Sequence, residues 1–236
     1  MRHIAYTLDQ DDPATSPLGL IVLQSDETLE PEFSNYFSDR VYPIHVTRIP
    51  SGIEVTTKTL ADMETALPAA AELLPAARPY RVVGYGCTSA SSVIGSDRVE
   101  QLIKQTCNTE HVTNPLRAAV ACAEDLGVSK FALLSPYIED VNVPLRRAFA
   151  EQGIATDVFG TFGEAEEAKV VRISHQSVVD GAVALGSDTA VEAIFLSCTN
   201  LRTYAAIPEI QSRIGKPVLS SNQSLAWHMR WLNAAL

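Results

Sequence analysis

Val82-Val83-Gly84-Tyr85-Gly86-Cys87-Thr88-Ser89 and Ala193-Ile194-Phe195-Leu196-Ser197-Cys198-Thr199-Asn200 are the stretches on which the fold is read. Each is a short apolar run that closes on cysteine, threonine and a small polar residue. Apolar runs of this length have the character of buried strands, so one strand-and-thiol unit occurs twice, once in each half of the chain. Each phrase is followed by a segment able to start a helix. Both sulfurs are therefore expected at helix N-termini, where unpaired N–H groups stabilise a thiolate.

Upstream, Leu18-Gly19-Leu20-Ile21-Val22-Leu23 reads as a buried strand and Val41-Tyr42-Pro43-Ile44-His45-Val46 as a second, which Pro43 marks as an edge. Leu60, Met63, Leu67, Ala70, Ala71 and Leu74 recur at helical spacing up to Pro75, ahead of the strand that carries Cys87. The opening thus reads β-β-α-β-α. A helix from Pro115 to Leu126 closes at Gly127, and a second cycle begins there. It runs through a strand at Phe131 to Ser135, a helix from Val141 to Gln152, a strand from Ile154 to Phe159, a helix from Ser174 to Leu185 and a strand from Val191 to Leu196. Strands joined by helices run parallel with right-handed crossovers, which predicts an α/β, doubly wound architecture with ligands at the carboxyl ends of strands. Both cysteines lie at such ends. The last strand, Pro217 to Ser221, and the helix from Gln223 to Leu232 are predicted to return to the first lobe, so that the lobes are residues 1–113 plus 218–236, and 114–217.

The 236 residues suffice for two lobes of roughly 110 residues, each able to bury its own core. Lys and Arg number 18 against 28 Asp and Glu, a net charge of -10, which argues against a nucleic-acid partner and leaves a small molecule as the expected one. No apolar run reaches the about 18 residues of a membrane span. Met1-Arg2-His3-Ile4-Ala5-Tyr6-Thr7-Leu8-Asp9 turns acidic at once and lacks the apolar core of a secretory signal, so a cytoplasmic protein without a membrane partner is expected. The thiols are expected to be reduced there. Cys107-Asn108-Thr109-Glu110-His111 lacks the remaining ligands of a zinc site, and no metal is expected. Cys107 and Cys122 read as buried small apolar residues. Gly84-Tyr85-Gly86 lacks the third glycine of a dinucleotide fingerprint, and the chain has no phosphate-loop lysine.

Gly84-Tyr85-Gly86-Cys87-Thr88-Ser89, Ser197-Cys198-Thr199-Asn200 and the opening from Gly19 to Phe33 resemble the aspartate/glutamate racemase superfamily. Within it the resemblance is to the branch of maleate cis-trans isomerase, arylmalonate decarboxylase and ectoine-utilisation protein A, the last being the most similar in appearance. It spans nearly the whole chain. It implies two pseudo-symmetric lobes with parallel four-stranded sheets, an active site in the cleft between them, and neither metal nor organic cofactor. A homo-oligomer is expected from the association common among such two-lobe enzymes. The racemases resemble a two-base design with a thiol on each side of the substrate carbon, whereas the decarboxylase keeps only the second thiol. This chain has both, which points to isomerisation or racemisation rather than one-sided decarboxylation.

The resemblance implies that Cys87, as thiolate, adds to the double bond of a cis-enedioic acid while Cys198 protonates the adjacent carbon; rotation and elimination then give the trans product. A helix N-terminus is the expected means of lowering the thiol from about 8.5. The N–H groups and hydroxyls of Thr88, Ser89, Thr199 and Asn200 are expected to hold substrate carboxylates. Tyr137 matches a tyrosine that the isomerases place against a carboxylate, where a phenol donates a hydrogen bond without bringing a charge. Ser220, Ser221, Asn222 and Gln223 are expected at the mouth of the cleft.

Asp26 departs from the pattern. The maleate isomerases are similar there but carry an asparagine, whose amide can donate to a substrate carboxylate; an ionised Asp26 offers only acceptors and repels a dianion. Glu164-Ala165-Glu166-Glu167 likewise falls near a second asparagine, with Glu166 and Glu167 expected to face solvent. Two acids in place of two amides suit a substrate bearing an amino or amidine group, or leave one acid protonated by its neighbour. An amino-acid racemase or epimerase acting on an ectoine-related zwitterion is therefore the alternative, the two thiols serving as alternate acid and base. A non-catalytic binding module on the same two-lobe scaffold is the third reading, disfavoured because a binder has no need of two thiols.

Overall fold

Strands and helices alternate through the described residues, 1–10, 15–40 and 42–234 of this computed structural model. In the first half β1 (Leu18–Leu23), α1 (Leu29–Tyr36), β2 (Ile44–Ile49), α2 (Thr57–Glu72), β3 (Tyr80–Gly86), α3 (Thr88–Ile94), α4 (Ser96–Lys104) and β4 (Thr109–Thr113) follow one another. The second half runs through α5 (Pro115–Leu126), β5 (Lys130–Tyr137), α6 (Glu139–Glu151), β6 (Ala155–Glu164), α7 (Glu167–Val170), α8 (His175–Gly186), β7 (Ala193–Leu196), α9 (Ala206–Ile214), β8 (Val218–Ser220) and α10 (Ser221–Ala234). The strands form two four-stranded sheets, ordered β2-β1-β3-β4 and β6-β5-β7-β8. Every pairing within them is parallel. Counted from its own first strand each sheet has the order 2-1-3-4, which is the pseudo-symmetry that the repeated thiol phrase predicts.

Parallel sheets are covered on both faces, so their central strands are apolar throughout. All six residues of β1 are buried. Alternation then sorts them: Leu18, Leu20 and Val22 meet Leu29, Phe33 and Met229 from α1 and α10, whereas Ile21 and Leu23 belong with Leu60 and Met63 of α2. Phe131, Phe149 and Phe195 make the aromatic centre of the second half, with ring centroids 5.3 to 5.9 Å apart. The ends of α5 follow from sequence alone. Asn114 accepts from the Arg117 N–H, Pro115 occupies the first turn, and Gly127 closes the helix at φ 67°.

Two expectations are corrected. α1 lies between the first two strands, where the sequence shows no helical stripe because the helix buries only Leu29, Glu32 and Phe33. The last strand does not return to the first lobe: β8 pairs with β7, Val218 opposite Ile194 and Ser220 opposite Leu196. Only α10 crosses back, laying Leu225, Ala226 and Met229 against Leu18, Leu20, Val22 and Val82 of the first sheet. The expected second strand is β2, at the edge of its sheet; Val41, placed in it from sequence, lies outside the described residues.

The glycines before Cys87 are spaces for helices. A Cβ on Gly84 would stand 2.6 Å from Met229 Sδ of α10, and one on Gly86 would press into Leu29 Cδ2 of α1 while lying 3.2 Å from the Ile21 carbonyl oxygen. Overpacking of this kind costs about 1–3 kcal/mol. Gly86→Ala is expected to destabilise the protein by that amount in urea unfolding, because the Ile21 carbonyl, unlike a side chain, cannot rotate away.

Candidate active site

Each 2-1-3-4 sheet changes direction between its first and third strands, and such switch points open a crevice at the carboxyl ends. Ser25 and Cys87 follow β1 and β3 of one sheet; Tyr137 and Cys198 lie at the ends of β5 and β7 of the other. The ends face a shared cavity of about 20 Å³, lined by Cys87, Cys198, Tyr137, Glu167 and the side chains of Thr88, Ser89 and Thr199 among others. That volume holds about one water molecule. Segment 51–55 closes it by pairing with the second half: Val55 N donates to Ala165 O at 2.9 Å, Glu167 N donates to Ile53 O at 3.3 Å, and Glu54 bridges Glu166.

Cys87 stands where the repeated phrase predicts, as the N-cap of α3, with its sulfur accepting from the Ala90 N–H at 3.3 Å. Cys198 does not. No helix follows it until α9, and its backbone takes φ 99°, the only positive φ at a non-glycine among the described residues. Its sulfur accepts instead from the Asn200 N–H at 3.3 Å, and its own N–H donates to Ser221 Oγ at 3.0 Å. The expected lowering of both thiols is also corrected. Burial pushes Cys87 up to about 12, with the Ala90 N–H opposing and the Glu167 and Asp26 carboxyls adding to the rise. Cys198 is raised further by burial and Glu167, against the pull of Tyr137. A short helix start is outweighed by desolvation in a closed, acidic pocket.

Tyr137 Oη lies 2.9 Å from Cys198 Sγ, a contact in which either group can donate, and 2.7 Å from Glu167 Oε1. Glu167 is 4% exposed, so its expected place in solvent is wrong. Its other oxygen accepts from Asn200 Nδ2 at 2.7 Å. Glu166 is the residue that faces out, paired with Lys169. Burial raises the Glu167 carboxyl while Tyr137 and Asn200 oppose the rise.

The remaining candidates divide. Thr88, Ser89 and Thr199 line the cavity, but Thr88 Oγ1 is 2.7 Å from Ser221 Oγ and Thr199 Oγ1 donates to Gly86 O at 3.2 Å. Asn200 is not part of the cavity wall; besides Glu167 it serves the Glu27 N–H, which donates to Oδ1 at 2.9 Å. Asp26 is also set back from the wall. Its Oδ1 accepts from the N–H groups of Thr28 and Leu29, both at 2.8 Å, and so caps α1. Its Oδ2, on a residue only 2% exposed, has no hydrogen-bond partner among the described residues. Ser221 and Asn222 lie deeper than the expected cleft mouth and are fully buried.

One carboxylate that the sequence reading passed over joins the halves. Glu32 of α1 accepts from Thr203 N at 2.7 Å, Tyr204 N at 2.9 Å, Thr203 Oγ1 at 3.1 Å and Asn222 Nδ2 at 2.8 Å. An acid four positions after the N-cap Thr28, inside a helix that the sequence does not announce, carries no pattern by which sequence could single it out. Cys107 and Cys122 are buried. Among the described residues no group of three or more His, Cys, Asp or Glu is placed to hold a metal ion. No helix among them is long and apolar enough to cross a membrane.

Two parallel sheets that meet at their carboxyl ends around a pair of cysteines place the molecule among the aspartate/glutamate racemase-like proteins. Residues 18–234 match the arylmalonate decarboxylase family, and the chain belongs to it. Arylmalonate decarboxylase of Bordetella bronchiseptica is 35% identical over 117 residues, a stretch that takes in 49% of this chain and 46% of that enzyme. Maleate isomerase of Alcaligenes faecalis is 24% identical over 88% of this chain and 87% of its own. In fold the chain is similar to a cysteine-to-serine mutant of the Nocardia farcinica maleate cis-trans isomerase solved with a covalently bound succinylcysteine intermediate, with a TM-score of 0.79, 22% identity and 92% of each chain covered.

Ser221→Ala is expected to cost about 1–3 kcal/mol in urea unfolding, since it leaves the Cys198 N–H and the Thr88 hydroxyl without their shared partner in a dry site. Asp26→Asn has a pH-dependent outcome. Burial raises Asp26 above its unfolded value, against the Leu29 and Thr28 N–H groups, so the folded state binds that proton more readily. Its contribution therefore favours folding below the ordinary carboxylate range and is lost as pH rises through that range toward the raised value. Asparagine keeps an Oδ1 for both N–H groups and removes the titration. The stability of the variant relative to the native protein is expected to rise as pH increases above the ordinary carboxylate range, measured by urea unfolding at each pH.

Proposed function

We propose that the protein is a cofactor-independent isomerase of a small carboxylic acid, similar to the maleate cis-trans isomerases, with Cys87 and Cys198 as its reacting groups. The observation that carries this reading is the position of both thiols on one closed cavity, at equivalent strand ends of two pseudo-symmetric sheets. A planar substrate between them presents one face to each sulfur. In the addition route one thiolate adds to an activated double bond, the opposing thiol protonates the neighbouring carbon, and the new single bond turns before elimination. The succinylcysteine adduct of the Nocardia farcinica isomerase supports such chemistry on this fold. The Ser89 hydroxyl, and the Thr88 hydroxyl when Ser221 donates to it, supply donors for the carboxylate.

A second reading is favoured by the charge of the site. Among the described residues no lysine or arginine lines the cavity, whereas Glu54 and Glu167 do, and the Asp26 carboxyl lies close enough to raise both thiols. A substrate joining a carboxylate to a cationic nitrogen, such as an ectoine-related zwitterion, matches that balance better than a dianion. The same thiols then racemise or epimerise it, one removing the proton and the other returning one on the opposite face.

A screen of cis-enedioic acids and amino-bearing acids in deuterated water separates the two. Conversion of maleate to fumarate supports the first, and deuterium at a retained stereocentre supports the second. On whichever substrate turns over, Cys87→Ser and Cys198→Ser are each expected to lower kcat/KM by about 10²–10⁴-fold; full activity in both variants excludes the thiol mechanism.

A further inference from the structure

We infer that the cavity holds a zwitterionic acid in one orientation, with its protonated nitrogen on Glu167 of the second half and its carboxylate on Ser89 of the first. The inference rests on the reading of the site's charge as one suited to a cationic nitrogen, and assigns the residue that receives it.

The two walls of the cavity differ in hydrogen-bonding sense. Glu167 Oε1 accepts from Tyr137 Oη at 2.7 Å, and Oε2 accepts from Asn200 Nδ2 at 2.7 Å. An ionised carboxylate only accepts, and each of its oxygens has room for a further donor. The Tyr137 phenol has a single proton, which it gives to Glu167. Toward Cys198 Sγ, 2.9 Å away, the phenol oxygen is then an acceptor, and it keeps no donor for a substrate carboxylate, the part that the sequence resemblance implies for it. Asn200 has its Nδ2 on Glu167 and Ser25 O, and its Oδ1 on the Glu27 N–H. The second-half wall therefore offers acceptors. On the first-half wall Ser89 lines the cavity with a hydroxyl that has no hydrogen-bond partner among the described residues, and the Thr88 hydroxyl is free to donate when Ser221 donates to it. That wall offers donors.

Charge follows the same division. Glu167 and Asp26 are both buried, and Asp26 Oδ2 has no hydrogen-bond partner among the described residues. The two carboxyls are near enough that Asp26 adds to the rise of Glu167. Arg48 is the cation that faces Asp26, but it donates to the Asp26 main-chain carbonyl at 2.9 Å and is ion-paired with Glu30. Among the described residues neither carboxyl is ion-paired with a lysine or arginine. A buried carboxylate without a counter-charge is costly, and a cationic nitrogen on Glu167 supplies that charge and offsets the burial that raises its carboxyl. The N–H groups of such a nitrogen meet both Glu167 oxygens and the phenol oxygen. A second carboxylate in the same place meets no free O–H or N–H of these residues and is repelled by two acids. Glu54 also lines the cavity, but it is exposed on segment 51–55, whereas Tyr137 and Asn200 hold Glu167 in one position.

Three saturated probes, without a double bond to undergo addition, read the assignment through binding alone. They are 4-aminobutyrate, a zwitterion; succinate, a dianion; and succinamate, whose amide brings N–H groups without a charge. Affinities are measured by isothermal titration calorimetry at about pH 8, where the amine is protonated. The native protein is expected to bind 4-aminobutyrate about ten- to a hundredfold more tightly than either of the others. Glu167→Gln is expected to abolish that preference by weakening 4-aminobutyrate alone, and Glu54→Gln to leave the preference in place. Ser89→Ala is expected to weaken 4-aminobutyrate and succinate by similar factors, since each keeps a carboxylate for the first-half wall. The comparison of probes on the native protein does not depend on any variant folding. Two results overturn the inference and differ in what falls with it. Native protein that does not favour 4-aminobutyrate removes the zwitterion reading as well. A preference for 4-aminobutyrate that survives in Glu167→Gln leaves that reading standing and excludes Glu167 as the receiving group.

Discussion

The carboxylate of Glu32 is where the two halves of the molecule are fastened. It leaves α1 of the first half and receives four hydrogen bonds, three from residues 203 and 204 and one from Asn222 at the start of α10. Asn222 also donates to Thr199 O at 2.9 Å, so the same fastening reaches the loop that bears Cys198. A buried carboxylate with four donors is held by geometry, since any separation of the halves strands a charge in a dry interior. Thr28 and Glu27 add bonds to Asn200 from the first half, and Ser221 links Thr88 to the Cys198 N–H. The two sulfurs share one cavity because these polar contacts, placed behind it, leave the loops little choice of position.

Polar satisfaction and chemical readiness pull in different directions at this site. Several hydroxyls and amides near the cysteines are occupied by a neighbour: Thr199 by the Gly86 carbonyl, Asn200 by Glu167 and Glu27, Thr88 by Ser221. A pocket so self-contained keeps its side chains in register without a ligand, and at the volume of about one water it must open to admit a carboxylic acid. The same closure withholds water from the thiols and carboxyls and makes each of them a weaker acid.

The parts of this structure that sequence made legible are those carried by repetition and periodicity. The thiol phrases put both cysteines at strand ends, α2 follows its stripe of Leu60, Met63, Leu67, Ala70 and Ala71, and α5 begins and ends at its own signals. What stayed hidden depends on which of two equivalent neighbours turns inward. Glu166 and Glu167 are identical in sequence, and only the pairing of residues 53–55 with 165–167 decides that Glu167 is buried. Asp26 reads as a departure in substrate contact, yet its nearest task is to cap a helix whose apolar face is too short to announce itself. Val218 to Ser220 has the composition of a strand in either sheet, and its partner β7 is set by tertiary packing. The helix expected after Cys198 is absent because Cys198 turns the backbone to φ 99°.

That turn gives the second cysteine a meaning apart from its sulfur chemistry. A positive φ at a residue with a Cβ costs on the order of 1–3 kcal/mol, a penalty that glycine escapes. At φ 99° the Cys198 main chain would be more comfortable as glycine, and the backbone alone would select that residue. The chain instead keeps a side chain at the least hospitable position of its framework. In Cys87 a thiol is compatible with the fold around it; in Cys198 the fold bears a standing deformation for the sake of one atom.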